Sequence, residues 1–174
     1  QSQDLPSIYE VPLNMQKQGL DKAILRKLQL SCEGTPDMEE WRKFVEDMNN
    51  AKEIVKIAMV GKYDLQDAYK SILESLAHAG TYNDHKVETQ FINSEHVSAD
   101  NVGELLKDMD GIVICPGFGQ RGIEGKIIAA QYAREHDMPA FGICLGMQMM
   151  VIEFARNVLG YKDANSREMD VKTT

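Results

Sequence analysis

The amino-acid sequence predicts an α/β fold, built as a doubly wound, mostly parallel sheet with helices on both faces. From residue 52 onwards, short apolar strand patterns alternate with patterns of helical spacing. The first strand pattern, at residues 54–60, is a nearly continuous apolar run, which is typical of a parallel strand buried on both faces. Repeated strand-helix units indicate a parallel sheet, and such sheets bind ligands at the carboxyl ends of their strands.

The predicted elements follow one another in a regular order. Strands are expected at residues 54–60, 86–92, 111–115 and 140–143. The helix after the first strand carries an apolar stripe that begins at Tyr69, and we expect Gly80 to end it. Further helices are expected at residues 102–106, 123–134 and 147–158, the last of them ended by Gly160.

Residues 1–51 form a separate region in this interpretation. Residues 7–12 indicate a short extended piece that ends at Pro12. Helical spacing follows at residues 20–28, and residues 35–36 (TP) are expected to begin another helix. These pieces are too few to bury a core of their own, so we expect them to lie against another part of the protein.

The composition and charge of the chain exclude several function classes. The 174 residues, 43% of them hydrophobic, suffice for one domain and a short appendage. A net charge of −8 argues against a nucleic-acid-binding surface, and no apolar stretch is long enough to span a membrane. A signal-peptide pattern is lacking, and the three cysteines are irregularly spaced. We therefore expect reduced thiols and a cytoplasmic location.

Residues 142–148 (GICLGMQ) carry the strongest chemical signal. Cys144 stands where a predicted strand turns into a helix, and the glycines beside it permit the tight turn that lifts a nucleophile clear of the backbone. A helix N-terminus favours the thiolate, and the amide of Leu145 would point to a forming oxyanion. A lone cysteine after a strand is more often a core residue, but the flanking glycines favour a catalytic nucleophile.

A glycine turn after the third strand offers a second oxyanion donor. Residues 116–119 (PGFG) lie at the same sheet edge as Cys144, and a glycine there lets an amide approach a substrate carbonyl. Together the two features predict acyl transfer through a thioester. Cys115 is interpreted as a core residue and Cys32 as inert. We predict neither a metal site nor a resident cofactor in this chain.

Two other segments admit alternatives. Gln148, one helical turn past Cys144, is either a substrate contact or a solvated residue. Residues 121–126 (RGIEGK) are either a polar helix entry, in which the dipole favours Glu124, or a mobile lid with glycine hinges. The residues alone favour the helix entry.

A general base for Cys144 is missing from the pattern. A nucleophilic thiol needs a histidine that takes its proton. His78 falls on a predicted helix, and His96 lies in a polar loop. His85 and His136 precede strands, at the opposite edge of the sheet. We therefore expect the base to lie outside this chain.

The elbow at residues 142–148 resembles that of the triad, or class I, glutamine amidotransferases, whose motif is Gly-x-Cys-x-Gly-x-Gln. The motif fits several members, and further segments resemble the CTP synthase family. These segments are residues 7–13 (SIYEVPL), 60–63 (VGKY), 67–69 (DAY), 117–126 (GFGQRGIEGK), 151–158 (VIEFARNV) and 164–166 (ANS) with Glu168. The resemblance covers nearly the whole chain, and together the motifs are highly specific.

The resemblance implies a flavodoxin-like amidotransferase fold that is incomplete in this chain. Residues 1–51 would be the connector from an absent synthetase domain, and residues 52–174 the amino-terminal part of the glutamine amidotransferase domain. The full enzyme would be a homotetrameric ligase of pyrimidine biosynthesis that uses ATP, magnesium and ammonia from glutamine to aminate UTP, with GTP as activator. The family's downstream histidine and glutamate have no counterpart before Thr174, so this chain alone is expected to be inactive.

The resemblance also assigns roles to individual residues. Cys144 would be the nucleophile, and the oxyanion amides would come from Gly117 and Leu145. The residues that would hold glutamine are Gly117, Phe118, Leu145, Gln148 and Glu168. The loop linked to activation by GTP would contain Arg121, Gly122 and Glu124. The family usually has two glycines before the phenylalanine, whereas here Pro116 precedes a single glycine.

Two other interpretations stay open on the sequence alone. One is a different class I amidotransferase or a small cysteine hydrolase of similar fold, against which the connector argues. The other is a non-catalytic binding or assembly module, which agrees with the missing base.

Overall fold

The computed structural model of the protein describes residues 4–31, 34–63 and 66–173. The strands are β1 (Glu53–Gly61), β2 (His85–Asn93), β3 (Gly111–Ile114) and β4 (Ala140–Gly142). The helices are α1 (Val11–Lys17), α2 (Leu20–Lys27), α3 (Glu39–Asn50), α4 (Lys70–Tyr82), α5 (Val102–Leu106), α6 (Ile123–Glu135) and α7 (Leu145–Asn157). None of the helices described is both long enough and apolar enough to cross a membrane.

The described strands form one sheet in the order β2-β1-β3-β4, and each neighbouring pair is parallel. β1 pairs with β2 along its whole length but with β3 only at residues 57–60. Its amino-terminal half is therefore open on one side, and Ile54 is 51% exposed. The expectation that residues 54–60 are buried throughout is wrong for this half, because β3 is too short to cover it.

Alternate residues of the central strands face two different helical layers. Ala58 and Val60 of β1 pack in a core to which α5 contributes Leu106 and α6 contributes Ala129. Met59 faces the opposite layer, where partly buried side chains of α4 complete a second core. Because β-strand side chains alternate between faces, helices cover both sides of the sheet. This confirms the predicted doubly wound, parallel fold.

Three strands end side by side at one edge of the sheet. The register aligns Val60 with Ile114, and Ile114 with Gly142. The segments that follow these strands therefore begin close together: Lys62 after β1, residues 115–119 after β3, and Cys144 after β4. This edge is where a parallel sheet places its binding site.

Residues 8–12 are helical, and the predicted extended piece at residues 7–12 is wrong. The Ser7 hydroxyl accepts a hydrogen bond from the Tyr9 amide at 3.2 Å and caps a 3-10 turn at Ile8–Glu10. Pro12 lies in the first turn of α1. A proline is tolerated there because the first helical amides have no partner within the helix.

Two predicted helix boundaries are also wrong. α3 begins at Glu39, beyond residues 35–36, and its first amide donates to the Asp37 carboxylate at 3.0 Å. α4 continues past Gly80 rather than ending there. A Cβ on Gly80 would lie 2.7 Å from the His85 carbonyl oxygen, so this glycine makes room for β2 against the helix.

The N-terminal helices dock on α4 through an aromatic cluster of Tyr9, Trp41, Phe44 and His78. The ring centroids of Phe44 lie 5.5 Å from those of both Tyr9 and His78. The Trp41 indole donates to the Tyr9 carbonyl at 2.8 Å, and the Tyr9 hydroxyl bonds to Glu74 and to His78 Nε2. The expectation that these helices lie against another part of the protein is confirmed. The boundary at residues 51 and 52 stays a prediction.

The outer side of β4 and α7 exposes large apolar side chains. Phe141 on β4 is 65% exposed, and the exposed residues of α7 include Met147, Val151 and Phe154. In the part of the chain described here, no other element covers this side, although contiguous apolar surface commonly marks an interaction site.

Candidate active site

Cys144 sits at a strained elbow between β4 and α7. Its φ of 53° and ψ of −110° lie outside the regions that L-residues usually adopt, and such strain concentrates at functional sites. A Cβ on Gly142 would lie 2.6 Å from the Met147 amide, and one on Gly146 would lie 1.9 Å from the Ile114 carbonyl oxygen. Both glycines are therefore required for the turn.

The thiol of Cys144 is exposed at the beginning of the 13-residue helix α7. The helix dipole stabilises negative charge at this position. Cys115 is the opposite case: it is fully buried, and burial raises the pKa of its thiol to about 12. This confirms its interpretation as a core residue, whereas Cys32 lies outside the described residues.

The glycine turn at residues 116–119 lies beside the elbow. Gly117 is buried, and a Cβ there would stand 2.7 Å from Lys62 Cε and 3.7 Å from Leu145 Cδ2. Leu145 is itself buried at the first position of α7. The structure thus brings together the two residues predicted to supply oxyanion amides, next to the predicted nucleophile.

Two buried lysines hold the backbone of this turn. The Lys62 ammonium donates to the carbonyl oxygens of Phe118 and Gly119, the latter at 2.9 Å. The Lys126 ammonium donates to the carbonyl oxygens of Cys115 at 2.5 Å and Pro116 at 3.5 Å. Neither lysine has a predicted role of its own, because nothing local in the sequence indicates that a charged residue is buried.

The other residues predicted to hold glutamine are Phe118, Gln148 and Glu168, and they differ in burial. The Phe118 side chain is 77% exposed. The Gln148 Oε1 atom is buried without a hydrogen-bond partner among the described residues. Burial lowers the pKa of Lys62, and Glu168, which is exposed, lies close enough for its charge to oppose part of that lowering. The segment that carries Glu168 is tied to the residue after the glycine turn, since the Gln120 side-chain amide nitrogen, Nε2, donates to the Met169 carbonyl at 2.5 Å.

Residues 121–126 form the polar helix entry that the sequence favours. Gly122 has a φ of 72° and precedes α6, and Glu124 lies in the first turn, where it bonds to Arg156 at 3.1 Å. The Arg121 guanidinium bonds to Glu95 at 2.6 Å and to the Lys62 carbonyl at 3.2 Å. Of the three residues predicted to form a lid, Arg121 and Glu124 are thus held by ion pairs in this structure.

No hydrogen bond joins a histidine to Cys144 within the described residues. His78 belongs to the aromatic cluster, His85 bonds to Glu53 at 3.1 Å, and His136 bonds to the Tyr132 carbonyl at 2.9 Å. Neither is any cluster of three or more potential metal ligands found in that part of the chain.

Two grooves of the described surface lie away from the elbow. One of about 1050 Å³ runs between α3 and α4, and another of about 790 Å³ lies between α1 and α3. Neither contains a nucleophile with oxyanion donors. Cys144, where backbone strain, a helix N-terminus and the glycine turn coincide, is therefore the candidate nucleophile.

The chain was compared with known families and proteins. Residues 64–174 match the family described as Glutamine amidotransferase class-I. A CTP synthase of Bacteroides fragilis is 63% identical over 99% of this chain, and one of Porphyromonas gingivalis is 58% identical over 98% of it. The aligned regions make up 33% and 32% of those two proteins, so the chain spans about a third of their length.

A similar fold has been solved in the glutaminase domain of a Trypanosoma brucei CTPS with bound acivicin. That structure is 42% identical in sequence and gives a TM-score of 0.65, over 69% of this chain and 47% of the other.

Proposed function

This chain belongs to the class-I glutamine amidotransferase family, and on that premise we propose that it is the glutaminase portion of a CTP synthase. Residues 1–51 would be the connector and residues 52–174 the amino-terminal part of the amidotransferase domain. The observation that carries the proposal is the strained elbow, which presents the exposed thiol of Cys144 at the N-terminus of α7.

In the proposed reaction, the Cys144 thiolate attacks the side-chain amide carbon of glutamine. The carbonyl oxygen becomes an oxyanion that accepts hydrogen bonds from the amides of Gly117 and Leu145. The carbon-nitrogen bond then breaks, nitrogen takes a proton and leaves as ammonia, and a thioester remains. Water hydrolyses the thioester to glutamate and restores the thiol.

We assign the glutamine contacts to Gly117, Phe118, Leu145, Gln148 and Glu168. The unpartnered Oε1 of Gln148 supports its role, because a buried acceptor without a donor costs free energy until a ligand supplies one. The proximity of Glu168 to Lys62 supports a place for its carboxylate near the site, where it could bind the α-ammonium of glutamine.

The proton transfers need a general acid and base, and none of the histidines described in the structure hydrogen-bonds to Cys144. We propose that a histidine beyond residue 174 supplies them, positioned by a glutamate. That same remainder of the domain would also cover the exposed apolar side of β4 and α7, which is otherwise an aggregation-prone surface.

The proposal extends to the whole protein. Its relatives are named CTP synthase, so the ammonia would aminate UTP in a synthetase domain that uses ATP and magnesium. GTP would activate the transfer through the loop of Arg121, Gly122 and Glu124, in a homo-oligomer. The match over 99% of the chain includes the proposed connector, which a free-standing cysteine hydrolase would not share.

The decisive experiment is Cys144→Ala in the full-length protein, assayed with glutamine and with ammonium chloride as nitrogen donors. We expect glutamine-dependent CTP formation to vanish and ammonia-dependent formation to persist. Cys115→Ala, a core substitution at the neighbouring cysteine, is the matched control and should retain both activities. Parallel loss of both in Cys144→Ala, or glutaminase activity without the thiol, would contradict the proposal.

A further inference from the structure

Lys62 and Lys126 are the most deeply buried charged side chains near the elbow. Lys126 is fully buried and Lys62 is 2% exposed. Burial lowers the pKa of Lys126 to about 8 and also lowers that of Lys62, which Arg121 lowers further. Among the described residues, no carboxylate lies within ion-pair distance of either ammonium. Since an unpaired buried charge is costly, these lysines need an explanation beyond packing.

Both lysines donate their hydrogen bonds to one short stretch of backbone. Lys126 reaches it from α6 and Lys62 from the end of β1, and the accepting carbonyls are those of residues 115, 116, 118 and 119. The Lys62 stem also lies against Gly117, where a Cβ would be 2.7 Å from Lys62 Cε. The two side chains therefore hold the glycine turn from separate elements of the fold.

Because the peptide group is rigid, a hydrogen bond to its carbonyl also sets the direction of the N–H in the same peptide group. A trans peptide is planar, so its N–H points opposite to its C=O. A lysine that holds the Pro116 carbonyl thereby sets the direction of the Gly117 N–H, and one that holds the Phe118 carbonyl sets that of the Gly119 N–H. The ring of Pro116 fixes the φ of that residue. The hydrogen bond from Lys126 to the Cys115 carbonyl therefore leaves the backbone at Pro116 little further freedom.

We propose that Lys62 and Lys126 are positioning residues, which hold the carbonyls of residues 115, 116, 118 and 119 so that the Gly117 amide faces the oxyanion formed at Cys144. The inference rests on the proposed glutaminase function. The lysines touch neither glutamine nor the thiol in this mechanism. Their contribution belongs to the transition state, because the oxyanion exists only after attack.

The magnitude follows from what an oxyanion donor contributes. Removal of one such donor lowers kcat about a hundred- to a thousandfold. A donor that is present but less well directed should cause only part of that decrease in kcat. We therefore expect kcat to fall about ten- to a hundredfold in each lysine variant. The KM for glutamine should change little, because ground-state contacts are assigned to other side chains.

The test uses Lys62→Met and Lys126→Met in the full-length protein, since methionine keeps an unbranched chain without charge or donors. Lys107→Met is the matched control, because Lys107 is exposed and pairs with Glu104 away from the site. Four quantities are measured: kcat and KM for glutamine hydrolysis, the Kd of glutamate γ-semialdehyde, and the rate at which iodoacetamide alkylates Cys144. The aldehyde forms a tetrahedral adduct with the thiol, so its affinity reports the oxyanion site.

We expect both variants to lose kcat and to bind the aldehyde more weakly by a similar factor, with KM and alkylation unchanged. The double variant should be less impaired than the product of the single effects, because both lysines hold one turn. The proposal is overturned by unchanged kcat, by unchanged aldehyde affinity, or by slowed alkylation, which would mean that the charges act directly on the thiolate.

Two measurements separate this inference from its premises. Ammonia-dependent CTP formation reports whether a variant is folded, and if Lys126→Met abolishes it, Lys62→Met alone decides by the same criteria. Failure of the proposed function would instead show in the parent protein, as absent glutaminase activity or activity that survives Cys144→Ala.

Discussion

Gly146→Ala tests whether the position of α7 against β3 determines catalysis. A Cβ at this residue would lie 1.9 Å from the Ile114 carbonyl oxygen and 2.7 Å from the Ile114 carbonyl carbon. Real Cβ atoms essentially never approach closer than 3.0 Å, so the gap must open by 3.0 − 1.9 = 1.1 Å. The obstacle is backbone, which cannot rotate away as a flexible side chain would.

The Ile114 carbonyl cannot yield without further loss. It accepts the amide of Ile143 at 3.0 Å, one of the bonds that join β3 to the segment leading into the elbow. The start of α7 must therefore move by about 1 Å, together with Cys144, and a displacement of this size costs about a hundredfold in rate. Overpacking should also destabilise the protein by about 1–3 kcal/mol.

The assay is ammonia release from glutamine by the full-length protein, with thermal unfolding measured alongside. Gly103→Ala is the matched control, since its Cβ would meet Tyr132 at an ordinary 3.6 Å and alanine in a helix is favoured by about 0.5–1 kcal/mol. It should keep full activity and unfold at the same or a higher temperature. A Gly146→Ala protein with kcat within about twofold of the parent would refute the reasoning.

Three further predictions concern the thiols, the N-terminal helices and the isolated chain. Iodoacetamide at mildly alkaline pH should label Cys144 in the full-length protein well before Cys115, whose pKa burial raises to about 12; peptide mapping that finds equal labelling would count against the assignment. Tyr9→Phe should destabilise the protein by about 1 kcal/mol through lost hydrogen bonds. Burial and Glu74 raise the pKa of Tyr9 to about 12, so its contribution is present below pH 10 and lost as the pH rises towards 12. Denaturant unfolding at pH 8 and 11 checks this, and a gap between parent and variant that does not narrow contradicts it. The 174-residue chain alone should release no more ammonia from glutamine than its Cys144→Ala control. The reason is that general acid-base catalysis, which raises the rate about a hundred- to ten-thousandfold, is missing. Clear turnover that the control lacks would mean that one of the chain's own histidines is the base.

Local pattern was sufficient wherever the determining interactions are local. The apolar runs of β1 and β3 predicted their positions because a buried parallel strand needs side chains that are apolar on both faces. The elbow at residues 142–148 was predictable in part for the same reason, since atoms of Gly146 and Met147 within the turn exclude a Cβ at Gly142, whereas the Cβ excluded at Gly146 would meet Ile114 of β3.

Local pattern misled where a residue type has more than one use. Gly80 has the appearance of a helix end, but it clears space for β2, and this depends on a strand that the helix pattern does not contain. Pro12 has the appearance of a strand end, but it lies in the first turn of α1, where the same missing amide is harmless.

The sequence by itself determined the fold class, the nucleophile candidate and the family resemblance, because these reside in contiguous motifs. Only the tertiary structure decided that Lys62 and Lys126 are buried on the glycine turn. Lys62 bonds to a carbonyl 56 residues away along the chain, and Lys126 reaches back across the start of α6 to the end of β3. Their environment is created by the parallel register, which sets the carboxyl ends of β1 and β3 side by side. A charge becomes buried only when separate segments close over it, and no local pattern encodes that closure.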